Sequence, residues 1–593
     1  MSDFLYHSKV QQQGRLAKCL RDIYHADPPE ITEFHGDWGS LAVSRNPYHG
    51  FEPHETDSHL FVMAGGPVLT FRDNLFLTGD DSAAGSVSVF ERYASGGISW
   101  DEDVSGPFAV LIVDKQEHTM RCVTDMMLFI PVYEFAGSDQ AALSTHPDAL
   151  AHATDQQDAT DTVSMIDFVL NNVVTYPFTM YSGIRQCLPA AVHEYRPGVG
   201  TKARPEPHLY WEPFDTQQFR TIGEAADALR QEVTGWIRRI TEGMDHVGMF
   251  VSGGEDSRVV AGLLPHSLKK DGFVFLDSMN REGRIAKKVA QAHGIDLHVS
   301  LRETTHYLKL MPRACDLMGS GQQCIHAHTL GFHKSCGLDR YPAVFGGFLA
   351  NSLLKAGGMR KLRFQRKMPF LPDVEIKGEG HSRPLRSNLF NRKALEEIDR
   401  RRRDHVALTS QYRTESLHQW FQFWPRSMGF ANANIAVNRR LFRSYEPFTC
   451  SGVIKISAGV PNAWKRNNRL YNMAFRGAQK STKWVTHSKG AYPYFPYWVN
   501  IPFQFRYWLW EKIRNRLGIR RQYEGPWIDW AGLMVTEEWK SRIDKCDKEF
   551  LQRTFNGYID DPSAAAAEKD WKIGVMINLI QTHYFENRKE YVK

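Results

Sequence analysis

The sequence predicts an α/β protein in three parts, with domains at residues 1–214 and 215–500 and a helical C-terminal extension at 501–593. Short apolar runs separated by turn residues fill the first part, which is typical of layered sheets. Strand and helix patterns alternate between 222 and 300, which indicates a doubly wound parallel sheet. Helical spacing of apolar residues then dominates the rest of the chain.

The composition indicates a folded protein, because 42% of the 593 residues are hydrophobic. No apolar window is long enough for a membrane span, and the first residues lack the pattern of a secretory signal. The eight cysteines are scattered without a CxxC pair, so we expect reduced thiols and a cytoplasmic location.

The charge is uneven. The net charge is only +6, but residues 355–403 carry 15 Lys and Arg against 6 Asp and Glu. A nucleic-acid binder along its whole length is therefore not indicated. The basic segment is either a solvated surface or a contact for an acidic peptide, a phosphorylated lipid carrier or RNA.

Individual elements follow from the same patterns. The N-terminal strands are expected at Leu60–Ala64, Phe108–Val113, Arg121–Thr124 and Ile130–Phe135. The second part is expected to run through a helix at Ile222–Ile240, a strand at Val247–Val251, a helix ending at Leu264, a strand at Phe273–Leu276, a helix at Ile285–His293 and a strand at Leu297–Val299. Late helices are expected near 503–517 and near 534–551. The aromatic side chains of the first are expected to face the core, with a membrane or a partner protein as the alternative.

The segment Gly248–Arg258 carries the clearest chemistry, because it leaves an apolar strand and opens a helix. Gly253 and Gly254 permit a sharp turn that exposes backbone N–H groups. With the hydroxyls of Ser252 and Ser257 and the positive end of the helix, this turn suits an anion. Asp256 suits a Mg²⁺ ion that bridges phosphates. The simpler alternative is a glycine-rich turn that caps a helix.

Residues 252–258 resemble the pyrophosphate loop of ATP pyrophosphatases, which cleave ATP between its α and β phosphates and adenylylate a substrate. Upstream, the segments Gly106–Asp114, Thr124–Asp125, Pro131–Tyr133, Ser144–Leu150 and Tyr210–Pro213 are similar to the glutaminase-type domain of asparagine synthetases. The chain thus resembles the asparagine synthetase B family. The resemblance implies an αββα, Ntn-hydrolase-like domain followed by an adenine nucleotide α-hydrolase-like synthetase domain.

The chain departs from this family at its start. The family's glutaminase needs a cysteine directly after the initiator methionine, whereas here the residue is Ser2 and the first cysteine is Cys19. We therefore expect a domain kept for structure, with Ser2 as a nucleophile only as an alternative. β-Lactam synthetases and lasso-peptide cyclases are relatives that lack this cysteine and close an amide ring with an amine of the same substrate.

The resemblance also suggests catalytic residues. Lys489 matches a late lysine that stabilises negative charge during amide formation. Glu415 corresponds to a glutamate that helps deprotonate the amine, and Tyr412 is a candidate partner one helical turn away. Each of the three is otherwise an ordinary surface residue.

The nucleotide site is expected to combine the loop with two further segments. Its predicted ATP-binding residues are Ser252, Gly253, Gly254, Asp256, Ser257, Asp277, Gly346 and Gly347. Asp256 is the predicted metal ligand. The second glycine segment, Val344–Asn351, lacks the family's acidic residue, so Mg²⁺ relies on Asp256 with phosphates and water, or on another carboxylate, or the site is impaired. Glu282 and Arg284 are expected on a solvated helix face.

The sequence thus predicts an ATP- and Mg²⁺-dependent ligase, most specifically an intramolecular macrolactam-forming enzyme similar to lasso-peptide cyclases. The alternatives are ammonia-dependent amidation of aspartate or a sugar carboxylate, an adenylylating RNA-modifying enzyme, and a catalytically degenerate scaffold. The expected partners are a peptide or small carboxylate and, for a peptide, a protease or leader-binding protein that delivers the precursor. No stable nucleic-acid complex is expected.

Overall fold

The computed structural model describes residues 2–588 except 25–26, 47–49, 79–82, 197–204, 358, 360–366, 369, 375–384, 426–429, 518–523 and 569–570. Much of the first half of the basic segment 355–403 therefore lies outside the described residues. In the described chain, no helix is long and apolar enough to cross a membrane. None of the eight cysteines, all of which lie among the described residues, forms a disulfide.

The N-terminal domain is built from short antiparallel strands. They are β1 (Asp3–His7), β2 (Glu30–Gly36), β3 (Gly39–Arg45), β4 (His54–Glu55), β5 (His59–Gly65), β6 (Val68–Leu69), β7 (Val104–Ser105), β8 (Phe108–Asp114), β9 (Thr119–Thr124), β10 (Tyr133–Ala136), β11 (Ala141–Ser144), β12 (Ile184–Gln186), β13 (Ala191–Tyr195) and β14 (His208–Leu209). Among the described residues twelve of them form two six-stranded sheets, ordered β12-β10-β11-β1-β3-β2 and β14-β13-β9-β8-β5-β4, while β6 and β7 pair with each other.

The two sheets pack face to face and are covered by helices on their outer faces. Phe4 and Leu41 of one sheet meet Val62 and Leu111 of the other in a fully buried core. The helices are α1 (Arg15–Arg21), α2 (Ala84–Ala94), α3 (Pro147–Ala153) and α4 (Thr162–Asn171). Alternating apolar positions on each strand fill the shared core, while the opposite face meets helices. The predicted αββα arrangement is confirmed.

The second domain contains a parallel sheet. Its strands are β15 (His246–Phe250), β16 (Lys269–Leu276), β17 (Asp296–Leu301), β18 (Val344–Phe345) and β19 (Ser444–Tyr445), in the order β17-β16-β15-β18-β19. All four pairings are parallel, so the doubly wound prediction is confirmed. The carboxyl ends of these strands lie along one edge, which is where such sheets bind ligands.

Helices connect and cover this sheet. The first are α5 (Ile222–Thr241), α6 (Asp256–Leu263), α7 (Arg281–His293), α8 (His306–Met318) and α9 (Ala350–Leu354). Helix α5 begins where the Thr221 side chain accepts the Glu224 N–H, and it buries Leu229, Val233 and Ile237 at helical spacing. The later helices are Arg392–Ser410, Leu417–Trp420, Phe430–Leu441, Ser451–Gly459, Asn462–Lys465, Arg469–Phe475, Tyr497–Arg516, Trp530–Met534, Glu537–Asp544, Lys548–Thr554, Pro562–Glu568 and Ile573–Glu586.

Two expectations for the C-terminal region were wrong in detail. The aromatic side chains of helix Tyr497–Arg516 do not face the core, since Asn500 is its one buried residue in the described structure. The region 534–551 is not a single helix. Thr536 and Asp547 each cap the N-terminus of a new short helix, because their side chains accept the N–H groups of Trp539 and Phe550.

Ion pairs join the N-terminal domain to the rest of the chain. Part of the basic segment is used here, since Arg401 pairs with Asp161 at 2.9 Å and Arg402 with Asp167 at 3.1 Å. Arg400 pairs with Glu397 on its own helix. These arginines of 400–402 are therefore engaged within the protein, which favours a structural role for this part of the segment.

Candidate active site

The pyrophosphate loop (252–258) connects β15 to α6 at the carboxyl edge of the parallel sheet. Its own hydroxyls hold its shape. The Ser252 and Ser257 Oγ atoms lie 3.0 Å apart, the Gly254 N–H donates to Ser252 Oγ at 3.1 Å, and the Ser252 N–H donates to Ser257 Oγ at 3.2 Å. The structure thus brings together the predicted residues Ser252, Gly253, Gly254, Asp256 and Ser257. It places these residues at the start of helix α6, whose positive end suits phosphate oxygens, while the N–H groups of residues 252–254 are bonded within the protein.

Glu282 supports this loop from α7. Its Oε1 accepts the Gly253 N–H at 2.6 Å, and a Cβ at position 253 would lie 2.8 Å from Glu282 Oε2. The expectation that Glu282 lies on a solvated face was wrong, because its side chain is buried against the loop. Burial raises the pKa of Glu282, although the Gly253 N–H and a hydrogen bond with Ser488 oppose this shift. Arg284, by contrast, is largely exposed.

Glu255 and Asp256 share one cation. The Lys355 Nζ atom lies 2.9 Å from Glu255 Oε2 and also donates to Asp256 Oδ1. It lies 4.0 Å from the centre of the Tyr471 ring, and the lysine side chain is only 7% exposed. Burial disfavours the charged form of Lys355, but the two carboxylates outweigh this effect and raise its pKa. The ammonium therefore stays charged at neutral pH.

The second glycine segment packs directly on the loop. A Cβ on Gly347 would lie 3.1 Å from Asp256 Cβ, and one on Gly346 would lie 2.1 Å from Glu446 Oε1. Glu446 is buried, and its Oε2 accepts the Phe348 N–H at 2.9 Å. Burial raises the pKa of Glu446 to about 8, so this carboxyl is mostly protonated at neutral pH.

These residues do not fit a magnesium ion held between two protein carboxylates. Asp256 Oδ1 is already paired with Lys355, and Glu446 is a poor ligand because it is protonated. Asn351 is exposed, and its backbone carbonyl oxygen accepts the Gly357 N–H at 2.9 Å. The replacement carboxylate considered from the sequence is therefore not found among the described residues of this segment.

Lys489 lies on a turn that is fastened to the pyrophosphate loop. In the Lys489 turn (487–491), the Gly490 N–H donates to the His487 carbonyl and the Lys489 N–H donates to His487 Nδ1 at 3.1 Å. Burial lowers the pKa of His487 to about 3, so its ring is neutral and can accept this bond. The Lys489 side chain is exposed at the tip of the turn.

Arg258 makes the connection between the loop and this turn. Its guanidinium donates to the carbonyls of Val485 at 2.6 Å, Thr486 at 2.8 Å and Gly253 at 3.0 Å. Burial lowers the pKa of Arg258 to about 10, which still leaves it protonated at neutral pH. A buried arginine that joins two segments through three carbonyls fixes their relative position.

Asp277 follows β16 and lines a cavity of about 210 Å³ together with Ser278, Tyr307 and Asp529. Its carboxylate is occupied, because Oδ1 accepts from Arg302 Nε at 2.8 Å and Oδ2 accepts from the Asp529 N–H at 2.7 Å. Nucleotide contact by Asp277 stays a prediction. The C-terminal extension reaches this edge of the sheet, and its residues Ile528 and Asp529 form part of the cavity wall.

The structure does not bring Glu415 and Tyr412 to the loop. The preceding helix ends at Ser410, so the two residues are not one helical turn apart. The Glu415 N–H donates to Asp215, and the Tyr412 ring packs on Phe214 and Trp424. Within the described chain, no contact joins either side chain to residues 252–258, and their catalytic roles stay predictions.

The side chain at position 2, where the family's glutaminase has its nucleophile, is buried. Ser2 is 1% exposed, its Oγ lies 2.6 Å from the Tyr24 hydroxyl, and its carbonyl accepts from Arg439. The adjacent Asp3 pairs with Arg440 at 2.7 Å and Arg439 at 3.0 Å. Burial alone would raise the pKa of Asp3, but the two arginines outweigh it and hold that pKa well below its usual value. Position 2 is therefore followed directly by a buried ion cluster.

Sequence reasoning missed Lys355, Glu282 and the bridging role of Arg258. Lys355 is the one cation in the apolar stretch Leu353–Ala356, and that position was a usable signal. Arg258 was visible as the end of the loop motif, but its partners at 485 and 486 are distant in sequence. Glu282 carries no local signal, because its partner lies 29 residues away.

Comparisons with known proteins agree with this geometry. The family model described as a glutamine amidotransferase domain matches residues 76–211, and the one described as asparagine synthase matches residues 228–481. No curated protein matches the chain.

Similar solved structures include two enzymes. One is described as the allosteric regulatory enzyme of purine biosynthesis, with 8% identity, a TM-score of 0.26 and coverage of 50% of this chain and 80% of that one. The other is the glutamine phosphoribosylpyrophosphate amidotransferase from B. subtilis, with 9% identity, a TM-score of 0.24 and coverage of 50% and 65%.

The two family models match in the order that the asparagine synthetase family requires, and each coincides with the architecture described above. An αββα domain precedes a parallel-sheet domain whose loop has the features of a pyrophosphate site. The chain is therefore asparagine synthetase-like in its two domains, and its second domain is that of an ATP-dependent carbon–nitrogen ligase that forms AMP and pyrophosphate.

Proposed function

We propose that this ligase closes an amide ring within a peptide, as lasso-peptide cyclases do. A carboxylate oxygen of the peptide attacks the α-phosphorus of ATP and pyrophosphate leaves. An amine of the same peptide then attacks the acyl carbon, AMP leaves and the amine loses a proton. Holding the amine beside the acyl-adenylate supplies most of the advantage of the second step. Mg²⁺ is proposed as the counter-ion that ATP itself carries.

The amine source is the first part of the proposal. The buried position of Ser2 supports a chain that takes no nitrogen from glutamine, because the residue is not a cysteine and its side chain is 1% exposed. The amine must then belong to the substrate or come from free ammonia. The buried ion pairs of Asp3 with Arg439 and Arg440 support a structural role for this end of the domain.

The observation that carries the choice of a peptide is an exposed surface beside the Lys489 turn. On helix Tyr497–Arg516, Trp498 is 64% and Trp510 57% exposed, and Phe503, Phe505, Leu509 and Ile513 are also exposed. Tyr507 of the same helix lies against Gly490 of the turn. A small carboxylate needs no such surface, whereas a peptide gains binding energy by covering aromatic side chains near the reacting end.

The charge on this surface indicates the kind of peptide. Arg506, Lys512 and Arg516 are exposed around the apolar side chains, while Glu511 is the helix's only acidic residue. A peptide with apolar and acidic side chains complements this surface. An acidic side chain is also the group that the reaction must activate.

The test is pyrophosphate release from ATP with a panel of substrates. The panel contains acid-bearing precursor peptides, aspartate with ammonia and a sugar carboxylate with ammonia. We expect release that depends on a peptide, and a product lighter than that peptide by one water. Replacement of Trp498 and Trp510 by serine should raise the KM for peptide at least fivefold and leave the KM for ATP unchanged. Val535→Ser, at another exposed apolar residue, is the matched control.

Other results would favour the alternatives. Release that requires ammonia and a small carboxylate would replace the peptide proposal. A protein that binds no ATP in a direct titration and releases no pyrophosphate would be a degenerate scaffold. The pairing of Lys355 with both Glu255 and Asp256 is the observation that supports the alternative of a degenerate scaffold.

A further inference from the structure

A buried cation, Lys355, contacts the pyrophosphate loop although it lies about 100 residues later in the chain. Lys355 follows helix α9 and the glycine pair Gly346–Gly347, so it reaches the loop from the same direction as the segment that lacks an acidic residue. Its ammonium is enclosed by Glu255, Asp256 and the face of Tyr471. It is therefore placed by packing on several sides and is not a mobile surface lysine.

The surroundings hold this ammonium in one place. Asn468 donates to the same Glu255 Oε2 atom at 3.1 Å, which fixes the carboxylate that faces the lysine. Gly347 lies against the Asp256 side chain, and a larger residue there would push Asp256 away. A charged group with 7% exposure is stable only when it is paired, and here both partners belong to the loop.

A divalent ion and this ammonium compete for two of the four carboxylate oxygens of Glu255 and Asp256. A metal bound by Glu255 and Asp256 would need carboxylate oxygens at about 2–2.5 Å, but one oxygen of each residue is already bonded to Lys355 Nζ. Two positive charges on one carboxylate pair would also repel each other in this buried position.

The charge balance explains what the ammonium does for an anion. Glu255 and Asp256 would place two negative charges beside the loop. Lys355 reduces this to one, and Arg258 on the other side of the loop offsets the Glu282 carboxylate that contacts Gly253. The two cations therefore remove most of the negative charge that an incoming phosphate group would meet.

We propose that Lys355 is the resident cation of the pyrophosphate loop, which takes the place of a protein-bound divalent ion and lets the loop hold a pyrophosphate group without one. The inference deepens the proposed function because it concerns the same loop. It predicts that Glu255 and Asp256 bind metal only when Lys355 is removed.

The first experiment measures Mn²⁺ binding to the nucleotide-free protein by electron paramagnetic resonance. We expect weak binding to the wild type and at least tenfold tighter binding to Lys355→Gln, because the variant exposes two adjacent carboxylates. Lys455→Gln is the matched control, since Lys455 lies 2.7 Å from Asp101 and 4.0 Å from Glu102 at a site remote from the loop. It should leave the Mn²⁺ affinity unchanged. Equal affinities for wild type and Lys355→Gln would overturn the proposal.

The second experiment measures pyrophosphate binding by calorimetry, with EDTA or with Mg²⁺. The wild type should bind in EDTA within threefold of its affinity in Mg²⁺, whereas Lys355→Gln should lose at least tenfold in EDTA and recover in Mg²⁺. If the variant fails to fold, the wild type alone decides, because a tenfold gain on adding Mg²⁺ would overturn the proposal. No pyrophosphate binding under either condition would count against the proposed function, while the Mn²⁺ comparison would still test Lys355.

Discussion

Replacing Arg258 with lysine tests whether this side chain fixes the Lys489 turn against the pyrophosphate loop. Arginine donates to the carbonyls of Gly253, Val485 and Thr486 at 2.6–3.0 Å, and a lysine has a single nitrogen that cannot serve both segments. Loss of two charge-assisted hydrogen bonds, at about 1.5–3 kcal/mol each, gives about 3 kcal/mol at the low end. We use the low end of this range because the lysine ammonium of the variant keeps the positive charge and one of the three hydrogen bonds.

Two assays separate the expected effects of Arg258→Lys. The melting temperature should fall by about 5 °C. Trypsin should cleave faster after the exposed Lys483 and Lys489 of the released segment. In the proposed reaction, kcat should fall about 10- to 100-fold with little change in the KM for ATP, because the turn is displaced while the loop remains.

Arg440→Lys provides the comparison for Arg258→Lys. Arg440 is also a buried arginine with several bonds, but its partners are Asp3 and the carbonyls of Leu317 and Ala436, away from the loop. It should lower the melting temperature by a similar amount without faster cleavage after Lys489. If trypsin cleaved both variants after Lys489 at the same rate, and if both kept the kcat of the wild type, the positioning role of Arg258 would be refuted.

Three further predictions concern buried polar groups. Glu446 has a raised pKa of about 8, so the folded state binds its proton more tightly than the unfolded state. The free energy of unfolding should therefore fall by about 3 kcal/mol as the pH rises from 5 to 9. Glu446→Gln should remove this pH dependence, as measured by thermal melts at both pH values. Asp3→Asn should lower the melting temperature by several degrees at pH 7, because Arg439 and Arg440 lose their shared counter-charge, and an unchanged melting curve would argue against that cluster. Neither the wild type nor Ser2→Ala should release ammonia from glutamine, and release that Ser2→Ala abolishes would show that Ser2 is a nucleophile after all.

The sequence predicted the fold well wherever the chemistry is local. Helix α5 and strands β15, β16 and β17 follow from apolar spacing and turn residues, and all were found within a few residues of their expected positions. The loop at 252–258 was also predictable, because its glycines and hydroxyls lie together in the chain. In such cases the neighbours in space are neighbours in sequence.

The parts that could not be predicted depend on distant partners. Glu282 was expected in solvent because α7 is amphipathic, yet it is buried where α7 crosses the pyrophosphate loop. The aromatic residues of helix Tyr497–Arg516 were expected in the core because such side chains usually are, but in the described structure they pack on single residues such as Phe370 and Tyr492 and are not buried. Lys355 has no motif that assigns it to Glu255 and Asp256, which lie about 100 residues earlier.

Pyrophosphate release from ATP is the most direct test of the proposed reaction. It is measured for the wild type, for Asp256→Ala and for Asp139→Ala, a control at an exposed aspartate of the N-terminal domain that pairs with Lys9. We expect one peptide of the panel to trigger release of pyrophosphate and AMP in equal amounts. Asp256→Ala should abolish the release, because Lys355 loses one of its two counter-charges at the loop, whereas Asp139→Ala should retain it. Release that persists in Asp256→Ala, or a wild type that neither binds ATP nor releases pyrophosphate with any substrate, would contradict the proposal.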